Sequence, residues 1–113
     1  MVRSGLSIFV GNVMLGDRFR YWRGASGRRY LFTEIDGAEL ADYRGAVAVE
    51  IEDRAGDEAG EGRVINLLEI DEDGGIRRHP VGFNAEPSAA FVHLLATSAA
   101  ERQAILLDLA ATM

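Results

Sequence analysis

The chain has 113 residues, of which 48% are hydrophobic and 27% are charged, and its formal net charge is −6. This length allows one domain with a modest core, and the composition is typical of a folded globular protein rather than a disordered chain. The sequence contains no cysteine, which excludes disulfides, thiolate metal sites and cysteine nucleophiles. It is compatible with a reducing cytoplasm, where we expect the protein to act.

The twelve basic residues are all arginines and are unevenly distributed. Residues 1–30 hold six arginines and one aspartate, a charge of +5, whereas residues 31–113 hold six arginines and seventeen acids, a charge of −11. Most of the surface would therefore repel phosphate. A basic patch on an acidic body favours an oriented encounter with a partner of mixed charge over uniform binding of nucleic acid.

Residues 6–15 form the first apolar run. The run is much shorter than the roughly 20 residues that span a bilayer, and no small-residue cleavage site follows it, so we expect neither a membrane segment nor a signal peptide. The pattern predicts a buried strand, kinked at Gly11 and Asn12, which Gly16 and Asp17 turn into the next element.

Residues 18–32 alternate arginine with aromatic residues on both sides of a turn bounded by Gly24 and Gly27. This pattern is typical of a β-hairpin with one packed face. The other face is then expected to present arginines beside Trp22 or Leu31, an arrangement that can stack on bases, grip phosphates or anchor a protein interface. The predicted binding residues are Arg18, Arg20, Trp22, Arg23, Arg28 and Arg29.

An alternative interpretation makes the hairpin purely structural. Trp22 would then close the edge of the core, and the arginines would be solvated or paired with the many acids. The turn could also offer backbone N–H groups to an anion, but ordinary turn chemistry, with glycine at positive φ, is the favoured interpretation.

The middle of the chain reads as strands joined by acidic connections. Asp36 is expected to cap a single helical turn that ends near Gly45. Residues 45–53 then alternate as a strand with one wet face, 54–62 form a mobile loop, and 64–70 form a central strand that is apolar on both faces. Residues 71–75 resemble a calcium loop only in their first positions, so we predict a hairpin turn. A return strand follows over 76–81, and Pro80 indicates either an edge strand or a position near the end of the strand.

The C-terminal part changes to a helical period. Phe91, Leu94 and Leu95 predict a short helix that begins near Pro87. Ser98 to Glu101 is a capping box that predicts the start of a second helix. The apolar stripe of this second helix comprises Ile105, Leu106 and Leu109. Leu107 lies outside the stripe, so this helix is expected to be covered on more than one side, by the sheet, by the first helix or by a second subunit in a homodimer.

The predicted fold is α+β, with an antiparallel sheet of about five strands followed by two C-terminal helices packed on one face. We expect a single domain over residues 1–113, mainly β over 1–82 and helical over 86–112. No phosphate-binding loop, dinucleotide fingerprint, nucleophile elbow or metal-ligand spacing is present, so no cofactor, metal or enzymatic activity is expected.

Two functions from different classes follow, and both use the hairpin. In the first, the protein is a small interaction module, inhibitor or regulator that docks on another protein, because tryptophan, tyrosine and arginine are enriched at binding hot spots. Its size and charge would suit a regulator of bacterial, phage or mobile-element origin. In the alternative, the hairpin binds RNA or single-stranded DNA by stacking and phosphate contacts.

Overall fold

The computed structural model describes residues 18–52, 63–82, 85–96 and 98–113. Within these ranges, six antiparallel strands form one sheet and one α-helix follows it, which confirms the α+β class. The strands are β1 (Phe19–Arg23), β2 (Arg29–Ile35), β3 (Val47–Glu52), β4 (Arg63–Ile70), β5 (Ile76–Pro80) and β6 (Ala89–His93). A 3-10 helix (Gly37–Asp42) lies between β2 and β3, and α1 (Ala99–Ala110) follows β6.

The order of strands in the sheet is β1-β2-β6-β3-β4-β5, so β6 lies in the interior of the sheet although it is the last strand along the chain. The helix predicted from Pro87, Phe91, Leu94 and Leu95 is therefore wrong. Residues 89–93 pair with β2 on one side and with β3 on the other. A short apolar run fits both a helix and a buried strand, and the two open strand edges decide between them.

One layer of the core lies between the sheet and α1, which packs over β3 and β4. The predicted capping box is confirmed, since the Ser98 hydroxyl accepts a hydrogen bond from the Glu101 N–H at 3.1 Å. The predicted helix stripe is buried, and Leu107 is 70% exposed. This helix-side core comprises Tyr30, Phe32, Val47, Val49, Ile51, Leu67, Phe91, Ile105, Leu106 and Leu109. The homodimer stays a prediction, to be tested by sedimentation velocity.

A second layer covers the opposite face of the sheet, which we call the outer face. The 3-10 helix begins after Asp36, whose side chain accepts from the Ala38 N–H as predicted, and it buries Leu40. The outer-face core comprises Leu40, Ala46, Ala48, Leu68, Ile70, Ala90 and Val92. The wet face predicted for β3 is therefore wrong: Ala48 is covered, and Glu50 is 4% exposed.

The second half of the sheet follows the sequence pattern closely. β4 is an interior strand and β5 lies at the end of the strand order, as Pro80 predicted. The 71–75 turn closes with a hydrogen bond from the Asp71 N–H to the Gly75 carbonyl at 2.7 Å, and Gly74 has φ 91°. The predicted strand at 6–15 and the predicted loop at 54–62 lie outside the described residues. None of the helices in the described ranges is long and apolar enough to cross a membrane.

Candidate functional site

The predicted hairpin is confirmed, and its register decides which side chains share a face. β1 and β2 pair antiparallel, with Trp22 opposite Tyr30, Tyr21 opposite Leu31, and Arg23 opposite Arg29. Directly opposed residues point to the same side of a sheet. The even-numbered residues of both strands therefore face α1, and the odd-numbered residues lie on the outer face.

On the side facing α1, Trp22 is half-buried at the edge of the helix-side core. Its ring meets Phe32 and Phe91 edge-to-face, with centroids 5.1 and 5.3 Å apart. The guanidinium of Arg20 lies 5.0 Å from the Trp22 centroid and 5.5 Å from that of Phe91. Trp22 is consequently held by neighbours on this side rather than presented as an open platform.

The outer side of the hairpin carries large exposed side chains. Tyr21 is 57% exposed and Phe19 39% exposed. The guanidinium of Arg29 lies 4.9 Å from the centre of the Tyr21 ring, within range of a cation–π contact. Arg23 is the direct cross-strand neighbour of Arg29, so two arginines occupy opposed positions at the tip of this face.

The turn between the strands binds an anion, and that anion belongs to the chain itself. The carboxylate of Asp108 on α1 accepts from the Ser26 N–H at 2.8 Å, the Ser26 hydroxyl at 2.7 Å and the Tyr30 hydroxyl at 2.7 Å. The Ala25 N–H donates to the Asp108 carbonyl at 2.9 Å. We call this set of contacts the Asp108 latch. It fixes the hairpin tip against the last two turns of the helix.

The latch shifts the titration of its two acidic partners in opposite directions. Hydrogen bonds from the hydroxyls of Ser26 and Tyr30 lower the pKa of Asp108, and the charge of Arg28 adds to this effect. Burial, followed by the hydrogen bond to the Asp108 carboxylate, raises the pKa of Tyr30. Both shifts favour the state that the latch needs, an ionised carboxylate and a neutral phenol.

The arginines of the hairpin differ from those elsewhere in the sheet. Every arginine on β4, β5 and α1 forms an ion pair with a carboxylate. The pairs are Arg63 with Glu52, Arg77 with Glu69 and Asp71, Arg78 with Glu50, and Arg102 with Glu69. In contrast, four hairpin arginines have no ion-pair partner among the described residues. These are Arg18, Arg23, Arg28 and Arg29.

The structure thus divides the predicted binding residues into groups. Arg23 and Arg29 lie on the outer face. Arg20 and Trp22 lie on the face toward α1, and Arg28 is beside the turn with its guanidinium 5.1 Å from the Tyr30 ring. Arg18 precedes β1 and is exposed. Among the described residues of the hairpin, the outer-face group combines exposed aromatic side chains with arginines, and the sequence-based prediction of binding residues did not include these aromatic residues, Phe19 and Tyr21.

A buried ion cluster between β4 and α1 also escaped sequence reasoning. Glu69 is 1% exposed and accepts hydrogen bonds from Arg77, Arg102 and Gln103 at 3.1, 3.1 and 2.9 Å. Burial by itself raises the pKa of Glu69, but the hydrogen bonds from Arg77 and Arg102 outweigh it and lower the pKa below its ordinary value. Arg102 precedes Ile105 by three residues, so the helical period alone could have placed it on the buried stripe. The cluster is internally satisfied and reads as structural.

No group of three or more histidine, aspartate or glutamate side chains within the described ranges is arranged to hold a metal ion. No protein family, no curated protein and no solved structure matches the chain. The hairpin geometry is therefore the basis for any functional proposal.

Proposed function

We propose that the protein is a small non-enzymatic interaction module, an inhibitor or regulator, which docks on another protein through the outer face of its β1–β2 hairpin. We define this docking surface as Phe19, Tyr21, Arg23, Arg29, Leu31 and Thr33. One observation carries the proposal: exposed aromatic side chains share this face with two arginines that have no ion-pair partner in the described part of the chain.

The residue types support a protein partner. Tyrosine and arginine dominate binding hot spots, since each combines a large contact area with directional hydrogen bonding. Arg29 already lies over Tyr21, which orders both side chains before a partner arrives and reduces the entropy lost on binding. The Asp108 latch contributes in the same way by tying the hairpin tip to α1.

The alternative, binding of RNA or single-stranded DNA, needs open rings on which bases can stack. Trp22 is enclosed by Phe32, Phe91 and Arg20, and one side of the Tyr21 ring is covered by Arg29. The net charge of −6 also opposes polyanion binding beyond the immediate range of the hairpin. These observations favour the protein partner.

Site-specific photo-crosslinking tests the proposal. A benzophenone amino acid replaces Tyr21 in one variant and the exposed Ala104 on α1 in a matched control, and both are expressed in the native host. We expect a nuclease-resistant protein adduct at position 21, absent at position 104 and lost when Arg23→Ala and Arg29→Ala are added. The same loss must not follow from Arg44→Ala, which removes an exposed arginine outside the hairpin.

A salt titration against mixed-sequence single-stranded RNA and DNA completes the test. Affinity that falls steeply with salt and disappears in an Arg23→Ala, Arg29→Ala variant would replace the protein-docking proposal with the nucleic-acid alternative. Equal adducts at positions 21 and 104, or none at position 21, would refute it as well.

A further inference from the structure

The outer face of the hairpin has a chemical order along the strands. The cross-strand pairs are Arg23 with Arg29 nearest the turn, then Tyr21 with Leu31, then Phe19 with Thr33. Successive rows on one face lie two residues apart, about 6.6 Å along a strand. The surface therefore reads, from tip to base, as a cationic row followed by two largely apolar rows.

The cationic row has no counter-ion among the described residues. Like charges directly opposite one another destabilise a strand pair, and neither Arg23 nor Arg29 has an ion-pair partner in the described ranges. Guanidinium groups carried by directly opposed residues can each donate N–H hydrogen bonds to one oxygen of the same carboxylate. A single carboxylate placed between them would remove the repulsion and form charge-assisted hydrogen bonds.

The two largely apolar rows beyond the cationic row determine which kind of anionic partner fits this surface. A nucleic-acid strand carries a phosphate at every nucleotide and needs cations repeated along its path. On this face the cations stop after one row, and the next positions hold Tyr21, Leu31 and Phe19. An acidic peptide whose neighbouring side chains are apolar matches the order of the surface.

We infer that the outer face of the hairpin binds an extended peptide segment in which apolar side chains stand at the second and fourth positions from one acidic residue, both on the same side of it along the chain. The inference rests on the proposed function and names the chemistry of the partner. The acidic side chain lies between Arg23 and Arg29. The apolar side chains contact Tyr21 with Leu31 and then Phe19, because an extended segment running along the strands has the same two-residue period as the rows.

The probe is a capped peptide with one acid, acetyl-Gly-Ser-Glu-Thr-Leu-Thr-Phe-Ser-Gly-amide, and its reversed sequence covers the opposite chain direction. A register control exchanges the glutamate with the following threonine and keeps the composition. Binding is followed on the full chain by NMR, from backbone amides and from the arginine Nε–H signals. We expect shifts at Arg23, Arg29 and Tyr21, and binding by the register control that is weaker by about tenfold or more.

Matched variants test the two-arginine contact. The double variant Arg23→Lys with Arg29→Lys keeps both charges but loses the planar guanidinium groups, and we expect it to weaken binding of the probe peptide by about tenfold. Arg44→Lys is the control and leaves binding unchanged. Dispersed amide spectra for all three proteins show that the variants fold.

Any of three results would overturn the inference. The probe and its register control could bind equally well in both the forward and the reversed sequence, the double lysine variant could bind the probe as tightly as the unmodified protein, or the NMR shifts could be confined to other surfaces. Failure of the peptide alongside a position-21 crosslink that depends on Arg23 and Arg29 would remove this partner chemistry and leave the proposed function standing. Loss of the crosslink itself would remove the proposed function.

Discussion

Replacing Arg23 by threonine should stabilise the protein while it weakens partner binding. Arg23 stands directly opposite Arg29, with no ion-pair partner in the described ranges. Opposed residues have Cβ atoms about 5 Å apart. Two guanidinium charges separated by about 7 Å in water would repel each other by about 0.6 kcal/mol. Threonine also favours strands more than arginine does. For a domain of this size, a gain of about 0.6 kcal/mol corresponds to a rise in Tm of roughly 2–4 °C.

Thermal unfolding followed by circular dichroism measures the effect at low and at high ionic strength. The electrostatic part of the gain should disappear near 1 M salt, where the Debye length is about 3 Å. Arg44→Thr serves as the control, because it removes the same charge from the same acidic protein at an exposed site outside the hairpin. A lower Tm for Arg23→Thr than for Arg44→Thr at low salt would show that Arg23 and Arg29 do not destabilise the hairpin by repulsion and that their row does not lack a counter-ion.

Four further outcomes are expected from the latch and the core. Gly24→Ala places a Cβ against the Asp108 carboxylate, so it should lower the free energy of unfolding by about 1–3 kcal/mol, and urea titration should show a much smaller loss in an Asp108→Ala background. The pKa of Asp108 is lowered on folding. The ionised carboxylate therefore stabilises the folded protein above the unfolded pKa near 4, and this stabilisation is lost as pH falls through the folded pKa. Asp108→Asn should flatten the acid unfolding curve over this pH range, and an unchanged curve would contradict the latch. Arg102→Ala leaves Glu69 buried with one fewer hydrogen-bond partner and should lower the free energy of unfolding by about 3 kcal/mol. In urea denaturation, the double variant Glu69→Met with Arg102→Met should lose less stability than either of the two methionine variants alone. Leu109→Ala should cost about 2–5 kcal/mol because Leu109 is 0% exposed; a loss under 1 kcal/mol would mean that α1 is not held by this contact.

Several elements could be predicted from the sequence because their signals are local. The hairpin follows from alternation around Gly24 and Gly27, and the start of α1 follows from the Ser98 capping box. Pro80 placed β5 at an edge because proline cannot donate a ladder hydrogen bond. In each case, the residues that make the contact lie within a few positions of each other, so spacing alone identifies the element.

The remaining features depend on residues that are distant in the chain. Residues 89–93 become a strand because β2 and β3 offer edges on both sides, and Glu50 is buried because Arg78 reaches it from β5. The residue types of the candidate site could be seen in the sequence. Their division between two faces depends on the strand register. The carboxylate that binds the turn belongs to Asp108, which lies 82 residues beyond Ser26. Side-chain period and turn chemistry are properties of a segment, whereas pairing partners and burial are properties of the folded chain, and only tertiary structure brings them together.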